Sequence, residues 1–236
     1  MNSSLIGALW DALPQFAAGA WLTVQLVALS LLVGLLLATG VAVMRLSHTA
    51  PLAWLARGYI YIFRSTPLLV QIFLIYYGLG QFEAVRQSVL WPILREPYWC
   101  AIIAFTLNTG AYTAEIMRGG IEAVPHGQIE AAKACGMNGV LLFRRIILPQ
   151  AFRLALPAYG NEIILMLQGT ALASTVTLME LTGVARAVAA RTFQPIEVYC
   201  LAGAVYLALS FLITRGVQAA ERRLNHMGRA PKKQAA

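Results

Sequence analysis

The sequence predicts an all-α integral membrane protein with five membrane-spanning helices, and three observations carry this. Of its 236 residues 59% are hydrophobic and only 12% are charged, against roughly a quarter charged in soluble domains, which leaves too little polar surface to cover a globule. The charges gather in clusters separated by long neutral runs, the pattern of a polytopic membrane chain. The Lys and Arg residues fall mostly on one side of those runs, so they report topology.

Five neutral runs stand out: Ala12 to Met44, Ser65 to Phe82, Pro97 to Ala114, Ile163 to Met179 and Val198 to Thr214. A helix needs roughly 17 to 25 apolar residues to cross a bilayer core, and unpaired backbone groups in lipid force such segments into helices. The spans are expected at Trp21 to Met44, Arg57 to Gln81, Tyr98 to Met117, Pro157 to Met179 and Glu197 to Val217. Pro157 suits the first turn of the fourth, and Gly78 with Gly80 suits the end of the second.

Orientation follows from the positive-inside rule. With the N-terminus outside, only Arg86, Arg95, Arg186 and Arg191 lie outside and the other 14 of 18 basic residues lie inside. An N-out, C-in arrangement is therefore expected, with residues 1–20 a periplasmic segment, 21–222 the transmembrane domain and 223–236 a basic cytoplasmic tail held by anionic headgroups. No basic residue precedes Arg45, so the first run lacks the n-region of a cleaved signal and is expected to stay. The net charge of +8 sits beside apolar runs rather than on a polar, aromatic-studded face, which argues against nucleic acid. Cys100, Cys135 and Cys200 are far apart and expected to be buried, and the three histidines are too scattered for a metal motif.

Cytoplasmic residues 118–153 are neither Gly/Ser-rich nor uniformly charged, so a structured loop between spans 3 and 4 is expected. Gln128 to Cys135 reads as a short helix closed by Gly136, and Asn138 as the cap of a second one that stops near Pro149. The loop carries Glu130, Ala131, Ala132, then Gly136, then Ile146, Leu148 and Pro149. This resembles the EAA loop of binding-protein-dependent ABC importer permeases. The physics is intelligible: two alanines leave a low surface for a partner, Glu130 offers a charge, and Gly136 permits a sharp reversal. An amphipathic helix lying on lipid is the plainer alternative.

Further runs are similar to the polar amino acid and opine branch of that family, above all to the M-type subunits of histidine, lysine, arginine and ornithine importers and their octopine and nopaline relatives. They are Phe63-Arg64-Ser65-Thr66-Pro67, Ala111 through Gly120, and Leu156 through Leu165. The resemblance implies a type I importer permease fold in a bacterial inner membrane. It also implies a second homologous permease subunit, or a second copy of this one, two ATPase subunits below and a periplasmic solute-binding protein above. Its cargo would be a polar, cationic amino acid, with opines or neutral and acidic amino acids as alternatives. The three lysines, Lys133, Lys232 and Lys233, are not followed by Ser or Thr, so a G-x-x-x-x-G-K-[ST] phosphate loop is excluded. No enzymatic activity or cofactor is expected of this chain, and ATP and magnesium would be held by the ATPase partner.

Ionisable groups within spans point to function by default. At 100° per residue Asn161, Gln168 and Thr175 form a polar stripe with Glu162 on the adjoining strip. Asn161, Glu162 and Gln168 are the candidate substrate residues, the carboxylate meeting a cationic cargo. Glu162 could instead pair with Arg153 or Arg64, or lie at a subunit interface. Glu115 is expected to pair with Arg118, and Arg64 to snorkel to the inner headgroups. A stand-alone channel or ion-coupled carrier, with Glu162 as the ion site, is the rival of a different class.

Overall fold

The computed structural model describes residues 3–47 and 49–226. The secondary structure is helical throughout the described residues. Helix α1, Ser3–Arg45, is the spine of the molecule. Its apolar stretch is Trp10–Arg45, so the first span starts before Trp21 and the proposed 1–20 segment is not separate from it. Pro14 lies inside the helix, three turns from its start, without ending it.

The expected second span is broken. Helix α2, Ala50–Ser65, stops at Thr66 and Pro67, and the chain resumes as α3, Leu68–Phe73, followed by a π turn at Leu74–Gly78 and a 3-10 turn ending at Gln81. The two arms bend by 105°. Proline pushes the residue before it out of the helical region, and Thr66 is extended, at φ −107° and ψ 142°. Two short helices, α4 at Glu83–Arg86 and α5 at Trp91–Leu94, lead to α6, Pro97–Glu122. Helix α6 is the central element, packed along α1, α2 and α9, and 13 of its 26 residues are buried. Its interior position explains how it keeps Asn108 and several threonines away from lipid.

After α6 come α7, His126–Ala134, and α8, Gly139–Leu142, which runs through a π turn at Phe143–Ile147 into α9, Leu148–Gly169. The expected stop at Pro149 is absent. A proline ring clashes with the carbonyl four residues back, and the wider turn just before it, where the Leu148 N–H donates to the Phe143 carbonyl, makes room. Pro157 is inside α9 rather than at its start.

The fourth span is broken too. From α9 the chain enters a 3-10 segment, Thr170–Val176, takes a left-handed turn at Thr177 (φ 68°) and continues as α10, Leu181–Thr192, with a 51° bend. Helix α11, Pro195–His226, completes the fold. Of the basic tail expected at 223–236, residues 223–226 form the end of α11, and the rest lies outside the described residues.

Three apolar clusters line up along α1. Phe16 packs with Leu181, Val184, Val188 and Val198 at its start; Leu26 with Ile72, Phe105, Met166 and Val176 in its middle; and Ala38 and Val41 with Ala56, Ile60 and Ala114 near its end. The periphery is apolar as well: Leu32, Leu36, Trp54, Leu207 and Leu212 are all more than 60% exposed. That is the inverse of a soluble surface. By length and composition two helices, α1 and α11, suffice to cross a membrane, and each bent pair adds one more. Of the cysteines only Cys100 is buried; Cys135 and Cys200 are exposed, and all three are free thiols.

Candidate substrate cavity and coupling loop

The break at Pro67 leaves carbonyls at the end of α2 without helical partners, and one side chain takes up several of them. Gln71 donates from Nε2 to the Phe63 carbonyl (2.9 Å), the Thr66 carbonyl (3.1 Å) and Thr66 Oγ1 (2.8 Å). Its Oε1 accepts from Asn108 Nδ2 at 3.0 Å, which ties the break to α6. Asn108 is therefore oriented by a buried partner.

At the next residue of α6, Thr109 Oγ1 donates to Glu162 Oε1 at 2.8 Å. Thr109 is held there by close packing: a Cβ on Gly34 of α1 would fall 2.4 Å from its methyl group, so only glycine lets the two helices approach this far. Glu162 is 5% exposed, yet its side chain reaches a cavity of about 410 Å³ that Arg64, Pro67, Asn108, Tyr112 and Met166 also line. No Lys, Arg or His lies within ion-pair distance of Glu162 among the described residues. The alternative pairing with Arg153 or Arg64 is not formed.

The Arg64 guanidinium lies 5.1 Å from the centre of the Tyr112 ring, with Nη1 3.9 Å from Glu115 Oε2. Cation–π stacking and the nearby acid hold it along the cavity wall. Glu115 itself is gripped by Arg118 at 2.8 Å, three residues on, as its spacing predicts.

Asn161 and Gln168 do not share the cavity with Glu162. Both are exposed, on the opposite strip of α9 from its buried residues Glu162, Met166 and Leu167. Thr109, Gln71 and Tyr112 are the cavity-building residues that the sequence did not single out. Only the Pro67 break, with a glutamine four residues later, signalled one of them.

The loop between α6 and α9 is built as a helical knob. At the end of α7 the Gly136 N–H donates to the Lys133 carbonyl (2.9 Å) and the Met137 N–H to the Ala132 carbonyl (3.0 Å). With Gly136 at φ +81°, this is a Schellman closure. Glu130 and Ala131 are exposed, whereas Ala132 is buried. The knob thus offers one alanine outward and spends the other inside the loop. Ile146 is half-buried, and Leu148 and Pro149 are exposed at the start of α9.

Comparison with known proteins agrees with this architecture. The family described as "Binding-protein-dependent transport system inner membrane component" matches residues 15–226. The octopine transport system permease protein of Rhizobium meliloti is 56% identical over 207 residues, covering 88% of this chain and 84% of that one. The histidine/lysine/arginine/ornithine transport system permease protein of Escherichia coli K12 is 42% identical over 211 residues, covering 89% of each. A crystal structure of an amino acid ABC transporter with histidines superposes with a TM-score of 0.85 at 34% identity, over 94% of this chain and 100% of that one. The MetNI methionine ABC transporter shares the fold at a TM-score of 0.64 and 18% identity. These relatives are importer permeases, which removes the stand-alone channel or carrier. The chain belongs to the family of binding-protein-dependent transport system inner membrane components, as an ABC importer permease subunit.

Proposed function

We propose that this chain forms one half of the translocation pathway of an ATP-driven importer in a bacterial inner membrane, carrying basic amino acids or their opine derivatives. Five crossings with the N-terminus out are reached if α1, the α2–α3 pair, α6, the α9–α10 pair and α11 each count once. A homologous permease or a second copy supplies the other half, two ATPase subunits dock on the α7 knob from the cytoplasm, and a periplasmic solute-binding protein delivers cargo. Asn161, Gln168 and Thr175 then face the other half rather than lipid, where a polar stripe is costly. Alternating access follows when closure of the ATPase subunits is passed through the knob to the helices around the cavity.

The observation that carries the cargo assignment is Glu162. A buried carboxylate that opens onto a cavity and has no basic partner from its own chain suits a ligand that brings the positive charge. Arg64 at the same cavity suits the carboxylate of that ligand. In proteoliposomes holding the complete importer, Glu162→Gln is expected to lower uptake efficiency for arginine about tenfold or more, since charge-assisted contacts contribute roughly 1.5 to 3 kcal/mol. Neutral cargo loses less, and membrane abundance is unchanged. A loss that is equal for every cargo and follows abundance would instead make Glu162 structural.

Orientation is tested separately. A reporter active only in the periplasm, fused after Ala236, is expected to be silent, because most basic residues then lie on the cytoplasmic side. Periplasmic activity there overturns the five-crossing topology.

A further inference from the structure

Between α1, α6 and α9 lies a cavity of about 400 Å³ that shares no wall residue with the Glu162 cavity. Leu35 and Thr39 of α1, Thr113 and Met117 of α6, and Phe152 and Tyr159 of α9 line it, and no arginine, lysine, aspartate or glutamate does. Its polar wall groups are hydroxyls, and that of Thr39 is taken up by the Leu35 carbonyl at 2.8 Å. Such walls suit an uncharged hydrocarbon chain and not an amino acid.

The cavity opens toward lipid. Leu35 and Phe152 at its rim are 38% and 58% exposed, and beside Leu35 the outer face of α1 continues in Leu32, Leu36 and Val43, each more than 60% exposed. At 100° per residue Phe152 and Tyr159 lie about 160 to 180° around α9 from Asn161, so the cavity is on the other side of that helix from the polar strip that faces the second permease half. An empty space of this size would cost the surrounding side chains their dispersion contacts, and hydrocarbon is the solvent at its mouth.

One end of the cavity points toward the coupling loop, since Thr39, Met117 and Phe152 lie nearer than Leu35, Thr113 and Tyr159 to the end of α1, the end of α6 and the start of α9. Beyond that end Arg144 and Arg145 are exposed in the π turn that leads into α9, and Arg145 precedes Phe152 by seven residues, about 10 Å along the helix. Neither arginine has a carboxylate within ion-pair distance among the described residues. Apolar space that opens onto lipid, with unanswered cations beyond one end, matches an amphiphile with an anionic head. We infer that a phospholipid with an anionic headgroup binds here, one acyl chain between α1, α6 and α9 and its phosphate at Arg144 and Arg145. The chain is a wedge between α1 and α9, the helix that joins the coupling loop to Glu162. Assigning the lipid to the cytoplasmic leaflet rests on the N-out orientation proposed above; the cavity itself does not.

The test uses the complete importer in phosphatidylethanolamine liposomes that contain a trace of phosphatidylglycerol, or of phosphatidylethanolamine, with a photoreactive acyl chain. Label from the phosphatidylglycerol probe is expected on peptides that hold residues 35–39, 113–117 and 152–159, above its level at Leu207 and Leu212, which are exposed on α11. Arg145→Gln is expected to lower labelling of those peptides about fivefold, the effect of one lost cation at an anionic headgroup, and to leave α11 unchanged. Leu35→Trp fills the cavity from its rim and is expected to remove label from 113–117 and 152–159 while Arg145 is intact. Thr39→Phe repeats that test from a second rim position if the larger substitution fails to assemble. Label no stronger than on α11 overturns the inference and leaves only annular lipid. Equal labelling by the two probes, or labelling indifferent to Arg145, also overturns it, because the headgroup is then not read. Absence of label from all three peptides overturns it by showing that another subunit covers the groove. The orientation reading falls separately, on the reporter after Ala236: with that end outside, the cavity keeps its label and only the leaflet changes.

Discussion

Replacing Ala131 by tryptophan is expected to abolish most cargo-stimulated ATP hydrolysis, by well over tenfold, in a complex whose permease is still inserted and abundant. The side chain points out of α7 and is exposed beside Glu130, so a larger residue there meets the partner rather than the permease's own core. A docking surface made of one small residue on a short helix has little capacity to repack, and a gap of a few ångströms removes the dispersion contacts of a tight interface. Ala132→Trp is a poorer probe of docking. Ala132 is buried within the loop, and added bulk there disturbs the knob before any partner arrives. Gly136→Val acts through the backbone, because a β-branched residue at φ +81° costs on the order of 1 to 2 kcal/mol and loosens the Schellman closure. ATPase activity of reconstituted complexes, with and without loaded binding protein, reads all three variants. Near wild-type stimulation in Ala131→Trp would take the knob out of the coupling path.

Composition was enough to identify a membrane protein, and the expected spans located the C-terminal end of α1 and the N-terminal ends of α6 and α11 to within two residues, while α11 runs nine residues past the expected Val217. The two bent pairs were not legible, although their signals were present. Thr66 before Pro67 disfavours a continuous second helix, but hydropathy runs unbroken across it and masked the stop. The second bend depends on Thr177 in a left-handed conformation and on contacts from other helices, which no local window contains. Prolines misled in the opposite sense at Pro149 and Pro157, since a π turn and a lipid-protected helix absorb what would end a helix in water.

The candidate site divides in the same way. Glu162 could be found because a charge in a span is costly, and its residue type alone raises the question. Its neighbours Asn161 and Gln168 followed from helical periodicity, which says which residues share a strip but not which strip faces inward. Thr109, Gln71 and Tyr112 are ordinary residue types whose roles come from what stands across from them. The α7 knob was the most legible part, because its spacing and its glycine describe one local motif.

Glu180→Ala is expected to be the most damaging single substitution outside the cavity, lowering the stability of the folded permease by about 3 kcal/mol or more. Glu180 is fully buried at the start of α10, and three donors converge on its carboxyl group. The Gly183 N–H donates to Oε1 at 2.8 Å, the Thr182 N–H to Oε2 at 2.9 Å, and the Tyr206 hydroxyl of α11 to Oε2 at 2.9 Å. It is a helix N-cap that also joins α10 to α11. Around it, the Leu181 N–H donates to Thr23 Oγ1 of α1 at 3.2 Å, and Arg186 Nη2 donates to the Ser174 carbonyl at 2.6 Å. The second bend is thus pinned to α1, α11 and the 3-10 segment through a few polar contacts. Alanine at 180 leaves two backbone donors buried without acceptors, each of which costs about 1 to 3 kcal/mol, and leaves the Tyr206 hydroxyl only Thr182 Oγ1, 3.0 Å away. Glu180→Gln keeps one carbonyl oxygen for those donors and is expected to lose roughly half as much. Thermal unfolding of the detergent-solubilised importer, followed by tryptophan fluorescence, gives the order wild type, Gln, Ala. Transport per folded complex should be nearly equal in all three, because the residue lines neither cavity. An alanine variant as stable as wild type would show that water or neighbouring groups satisfy the donors, and that the bend does not depend on this carboxylate.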